Sequence, residues 1–136
     1  MRELTGHVVN PANDRLKIEV IDEAGQGGAC HRYDITGFDT EKNASNLTPD
    51  GYKSSFSRAI ILFQNGPIDE DGNGINGLTH EALLEILIDR MKGFQSGQYA
   101  CENNQLTLEC LMSAQGYLLS RTKERMARNV EGTHQV

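Results

Sequence analysis

The chain has 136 residues, a net charge of −6, 38% hydrophobic and 24% charged residues. Those values describe one soluble globular domain, or a domain with a small appendage, able to bury a core without disulfides or metal. The acidic balance excludes general binding of nucleic-acid polymers, which needs a broad basic surface, but allows a local cationic cluster to hold a small anion.

No apolar run approaches the length of a membrane span, and the opening segment MRELTGHVVN carries no signal-peptide core. Cys30, Cys101 and Cys110 are odd in number and far apart. A reduced cytosolic setting fits them best, with the thiols as small packing residues.

The first half reads as strands. Residues 7–9 are a short candidate. Residues 16–22 (LKIEVID) alternate Leu16, Ile18 and Val20 against Lys17, Glu19 and Ile21, as a half-buried strand does. A glycine turn follows, and residues 31–36 (HRYDIT) set Tyr33 and Ile35 against Arg32, Asp34 and Thr36. The pair predicts a β-hairpin. Residues 40–57 are polar and aperiodic, a loop with room for one helical turn. Residues 58–64 (RAIILFQ) form a nearly continuous apolar run, which argues for a central strand.

Asn65-Gly-Pro ends that strand, and a glycine- and acid-rich connector leads to two helices, 79–94 and 102–129. Thr79 is the expected N-cap of the first, and Gly132 the expected stop after the second. The short link between them predicts an antiparallel hairpin. The expected fold is therefore α+β, a small antiparallel sheet followed by a two-helix hairpin. Its parts are 1–68 as a β region, 69–78 as a connector and 79–136 as the hairpin for binding and dimerisation.

Several motifs compete for a functional reading. Residues 69–74 (DEDGNG) copy the first half of an EF-hand loop, but His80 stands at the twelfth position and Glu81 is one residue late, so calcium is not expected. The histidines and cysteines have no zinc-ligand spacing. No Walker or dinucleotide glycine loop is present, and no acid or base is marked for catalysis.

Arg121, Arg125 and Arg128 stand at i, i+4 and i+7 near the end of the second helix. That spacing gathers planar, permanently charged forks suited to phosphate. The plain alternative is a solvated helix end with cations suiting the macrodipole. Phe94 is either a plug at a helix end or a ring that stacks on a base, and Asn103 or Asn104 either an N-cap or an amide that reads a base edge.

The segments RAIILFQNGPI, NGLTHEALLEILIDRMKGFQSGQYACENNQ and SRTKERMARNVEGTH resemble phage proteins of the Thoeris anti-defence sponge family, whose helical hairpin is shared with anti-CBASS cyclic-nucleotide sponges. The resemblance implies a protein without catalysis or cofactor that acts in the host bacterial cytoplasm. It would sequester a glyco-cyclic ADP-ribose made by a TIR-domain enzyme, and some relatives also trap cyclic di- or trinucleotides. The family's phenylalanine, asparagine and arginine pair match Phe94, Asn104, Arg121 and Arg125, with Arg128 and Thr133 as secondary contacts. A cyclic-nucleotide hydrolase and a phage protein–protein module are the rival readings.

Helix geometry adds a constraint. Asn104 and Arg121 lie 17 residues apart on one helix, about 25 Å along its axis. A ring on the order of 10 Å cannot span that, so a shared ligand requires the antiparallel helices of a homodimer, or a higher homo-oligomer. Cys110 and Tyr117, beside the arginines, are then expected dimer contacts.

Overall fold

The register of four short strands shows how the first part of the chain folds. The computed structural model describes residues 1–9, 11, 14–53, 55–68, 72, 74–131 and 133. The chain divides into two units, Met1–Phe63 and Gln64–Val136. The first is an antiparallel meander in the order β1 (Arg2–Leu4), β2 (Lys17–Val20), β3 (Arg32–Thr36) and β4 (Ala59–Leu62). Val20 pairs Tyr33, which pairs Ile61, while Glu19 pairs Asp34, which pairs Ile60. One face is therefore apolar and the other carries Glu19, Asp34 and Arg32, as the alternation of 16–22 and 31–36 requires. Val20 is the buried centre of the apolar face.

On the polar face Asp34 is buried and ion-paired with Arg32 at 2.9 Å and with Arg58. At the end of the β2–β3 hairpin, the Asp22 carboxylate accepts the backbone N–H groups of His31 and Arg32 at 2.9–3.0 Å. These bonds close the glycine loop. Gly37, just after β3, has φ +89°, and a Cβ there would lie 1.7 Å from the Arg15 carbonyl oxygen. Only glycine fits that approach.

Two expectations for this unit are corrected and one is met. Residues 7–9 form no strand: Val8 N–H closes a turn onto Thr5 at 3.0 Å as the chain leaves β1. The strand lies earlier, at Arg2–Leu4, which is too short to show a period. β4 is an edge strand, not a central one. Its apolar run does not mean two covered faces, because Ile60 and Leu62 are about half exposed (53% and 47%). The 40–57 loop does contain one helical turn, at Thr40–Lys42.

In the second unit, α1 (His80–Gln95) and α2 (Glu102–Ala127) form the hairpin. Thr79 caps α1, its Oγ1 accepting the Ala82 N–H at 3.2 Å. The less exposed positions of α1 (Glu81, Leu84, Ile88, Met91, Gln95, with Leu83 beside Leu84) and of α2 (Asn104, Leu108, Leu111, Gln115, Leu118, Thr122, Arg125) recur, Leu83 apart, at three- and four-residue spacing. That is a coiled-coil-like seam. Gln95 meets Gln105 at 3.2 Å and Glu85 meets Gln115 at 2.7 Å. This register brings α1 to its start near residue 120 of α2, so the last turns of α2 overhang the first helix.

Two end caps differ from expectation. Cys101 rather than Asn103 or Asn104 is the N-cap of α2, its Sγ accepting the Asn104 N–H at 3.4 Å. It and Cys110 are exposed rather than packed inside. The C-terminal stop is Asn129, with φ +58°. Val130 N–H bonds to Arg125 O and Asn129 N–H to Met126 O, both at 3.0 Å. That pair of bonds is a Schellman motif, with asparagine in the position glycine usually takes. Gly132 lies outside the described residues, as do Asp69, Asp71 and Asn73 of the EF-hand-like stretch.

Candidate functional site

The residues singled out by sequence occupy the two ends of α2. At the closed end of the hairpin, Phe94 sits on the last turn of α1, is 40% exposed, and has the Arg90 guanidinium 5.7 Å above its ring centroid. A cation over an aromatic face is attracted by the ring's quadrupole. Asn104 lies in the first turn of α2. It is half-buried and its Nδ2 donates to Tyr99 O at 3.4 Å. Asn103, beside it, is exposed.

At the open end the three arginines have different surroundings. Arg121 is exposed and has no hydrogen-bond or ion-pair partner among the described residues. Arg125 falls on the seam and its side chain is only 13% exposed. Its Nε donates to Glu131 at 3.0 Å, and its Nη2 to Val130 O at 2.9 Å and Thr133 O at 3.3 Å. Arg125 therefore ties the turn after the helix to the helix itself. Arg128 pairs with Glu124, one turn back, with Nη2 at 3.2 Å from the carboxylate. Thr133 closes the turn by donating from Oγ1 to Val130 O at 2.5 Å.

Spacing round the helices adds what the sequence alone did not arrange. At about 100° per residue, Asn103, Cys110, Ala114, Tyr117 and Arg121 share one side of α2, roughly a quarter-turn from the seam. Phe94 and Leu87 lie a similar angle from the seam of α1, and the antiparallel arrangement puts both flanks on the same broad face of the hairpin. That face is incompletely covered: Leu87 is 46% and Tyr117 79% exposed. The residue types alone left Asn103 and Asn104 open, and the resemblance named Asn104. The wheel position of Asn103, on the same side of α2 as Arg121 but at the other end of the helix, was available once the seam was known.

Among the described residues no group of three or more metal-binding side chains assembles, and no helix is long and apolar enough to cross a membrane. The polar groups collected here are donors and a ring: guanidinium forks, amide N–H groups and an aromatic face. Guanidinium forks are groups suited to phosphate, and an aromatic face is suited to stacking on a base.

Fold and site together define an α+β protein whose helical hairpin carries an aromatic and amide corner at one end and arginine forks at the other. Over 77 residues the chain is 39% identical to Thoeris anti-defense 1 of Bacillus phage SBSphiJ7. The match covers 57% of this chain and 53% of that protein, so the chain spans about half the length of the relative it matches. The resemblance to the Thoeris anti-defence family drawn from the hairpin segments is thereby supported. No family model matches the chain.

Proposed function

We propose that this protein is a phage anti-defence sponge that blocks Thoeris immunity by holding, without cleaving, a glyco-cyclic ADP-ribose signal in the host cytoplasm. The observation that carries the reading is the separation of recognition groups along α2. An aromatic ring and amides stand at one end, and an unpartnered Arg121 at the other. Each end is half a nucleotide site, and two antiparallel copies of α2 complete both halves twice.

The surface between the ends suits that pairing. Setting Asn104 opposite 121–125 of a second copy also sets Cys110 opposite Tyr117 and puts the two-fold beside Ala114. Small side chains at the axis let two helices approach closely, and the exposed Tyr117 and Leu87 gain cover. In this arrangement Phe94 stacks on the base, and Asn104, with Asn103 beside it, reads an edge. Arg121 clamps the diphosphate. Arg125 adds a second fork by exchanging Glu131 for phosphate, while Arg128 and Thr133 line the same end. Nothing in the constellation has to donate or remove a proton. A rigid ring entering a preformed pocket loses little ordering entropy, which favours slow release.

Calorimetry with glyco-cyclic ADP-ribose isomers tests the site. A charge-assisted hydrogen bond contributes about 1.5–3 kcal/mol, so Arg121→Ala should weaken binding at least tenfold with an unchanged thermal melt. Unaltered affinity overturns the site. Ligand recovered intact after heat denaturation of the complex supports a sponge, whereas a cleaved product overturns it in favour of a hydrolase. The same panel includes cyclic di- and trinucleotides, a second ligand class in the family the chain resembles.

A further inference from the structure

Arg90 stands one turn before Phe94 on α1, and its guanidinium lies 5.7 Å from the centre of the Phe94 ring. It is exposed and, among the described residues, has no hydrogen-bond or ion-pair partner. Lys92, the neighbouring cation, lies on the opposite side of the helix from Arg90, two residues being about 200° apart. The ring beneath Arg90 is the flat surface on which the proposed site stacks a base. The guanidinium therefore occupies the place a base would take, unless it comes to lie on the far side of that base. Distances favour the second outcome. Carbon atoms of stacked groups sit about 3.5–4 Å apart, so at 5.7 Å the guanidinium is not in full stacking contact with the ring. A base between the two needs about 7 Å, which the guanidinium reaches by lifting about 1.3 Å. Space for that movement is present: a Cβ built at Gly93, beside the pair, would meet nothing within 4 Å apart from its chain neighbours.

We infer that Arg90 is a further ligand-binding residue: it closes over the outer face of the base, which is then held between the Phe94 ring and a guanidinium plane. The inference rests on the proposed nucleotide site and deepens it, because the base gains a second flat partner from the same chain that supplies the first. A guanidinium is planar, permanently charged and weakly hydrated, so it stacks on a base as well as on a benzene ring. Its edge N–H donors stay free while its face is covered, and they are then at the right height for ribose or phosphate oxygens. In the free chain the cation rests on the phenylalanine instead, which keeps it near its working position and limits the side-chain freedom lost on binding.

Calorimetry of the full chain with glyco-cyclic ADP-ribose isomers tests the assignment. Arg90→Ala should weaken binding by roughly 5–30-fold, the range set by a cation over an aromatic face as it becomes desolvated. Arg90→Lys keeps the charge without the plane and should recover less than half of that loss. Proton NMR of the bound ligand separates direct stacking from mere support of Phe94. With Arg90→Ala at saturation, the base protons should keep the upfield shift they take from the phenylalanine ring. Loss of that shift together with the affinity, unaltered or tighter binding by Arg90→Ala, or full recovery by lysine overturns the inference. If Arg121→Ala loses affinity in the same series and Arg90→Ala does not, the nucleotide site stands and the role of Arg90 falls. A wild type that binds none of the isomers overturns both.

Discussion

Arg125 shows how far the role of a residue depends on what the chain does next to it. Its spacing from Arg121 and Arg128 is plain in the sequence, and so is the suitability of three forks for phosphate. That its guanidinium is turned into the end of its own helix is not plain, because that depends on where the helix stops. The stop is Asn129, whose φ of +58° costs an L-residue strain that asparagine bears better than most. Replacing Asn129 by glycine should remove that strain and stabilise the chain by roughly 0.5–1 kcal/mol, and alanine should cost about 1 kcal/mol. Urea unfolding of the two variants measures both. Equal midpoints for Gly and Ala would mean that the left-handed cap does not form in solution. The cap also distinguishes the arginines: it employs Arg125 in holding Val130 and Thr133, while Arg121 stays exposed.

The hairpin was the most legible element. Its apolar positions repeat at helical spacing over many turns, Thr79 caps it as expected, and the link is short enough to force an antiparallel return. What could not be read was which stretch of that apolar surface is buried within one chain. Met126, Met112 and Leu119 belong to the stripe by spacing, yet they are 60%, 48% and 43% exposed. The seam is narrower than the stripe, since one neighbouring helix can cover only part of a helix. β4 failed for a related reason: a run such as AIIL reports apolar surface, not whether this chain or another covers it. The candidate site was legible as residue types at two ends of a helix. That Asn104 falls on the seam while Asn103 is exposed was not, because that depends on where the other helix packs. Among the described residues of the hairpin unit, only Ile88, Leu108 and Val130 are buried hydrophobics. With so thin a core, Ile88→Ala should cost about 2–5 kcal/mol and strip much of the helical signal at 222 nm at room temperature. If a second copy covers the outer face, the wild-type melting temperature should also rise with protein concentration.

At the scale of the whole molecule, the sheet unit is held by carboxylates whose partners are all donors, which makes its stability a function of pH. The Asp34 carboxyl is held below its ordinary value of 3.8, first by the Arg32 guanidinium and then by that of Arg58, against the opposing effect of burial. Asp22 is lowered by the Arg32 backbone N–H and then by the bonds from His31. Glu41 is lowered from 4.5 by the Ser55 hydroxyl and the Lys53 ammonium. In each case the unfolded chain takes up protons at a higher pH than the folded one. Folding stability therefore rises with pH across that interval. The contribution is fully present above about pH 5, begins to fade as pH falls through 4.5 and 3.8, and is lost below the lowered folded values. Melts at pH 7, 4.5 and 3.5 should show a steep drop only over the last interval. Asp34→Asn leaves two guanidinium groups without their carboxylate, so it should lower the melt at pH 7 and flatten the acid limb. A variant that loses stability equally at every pH would place the acid sensitivity elsewhere. Amide exchange across Lys17–Val20 and Arg32–Thr36 is the local readout, because Asp34 and the pairing it accompanies lie within those strands.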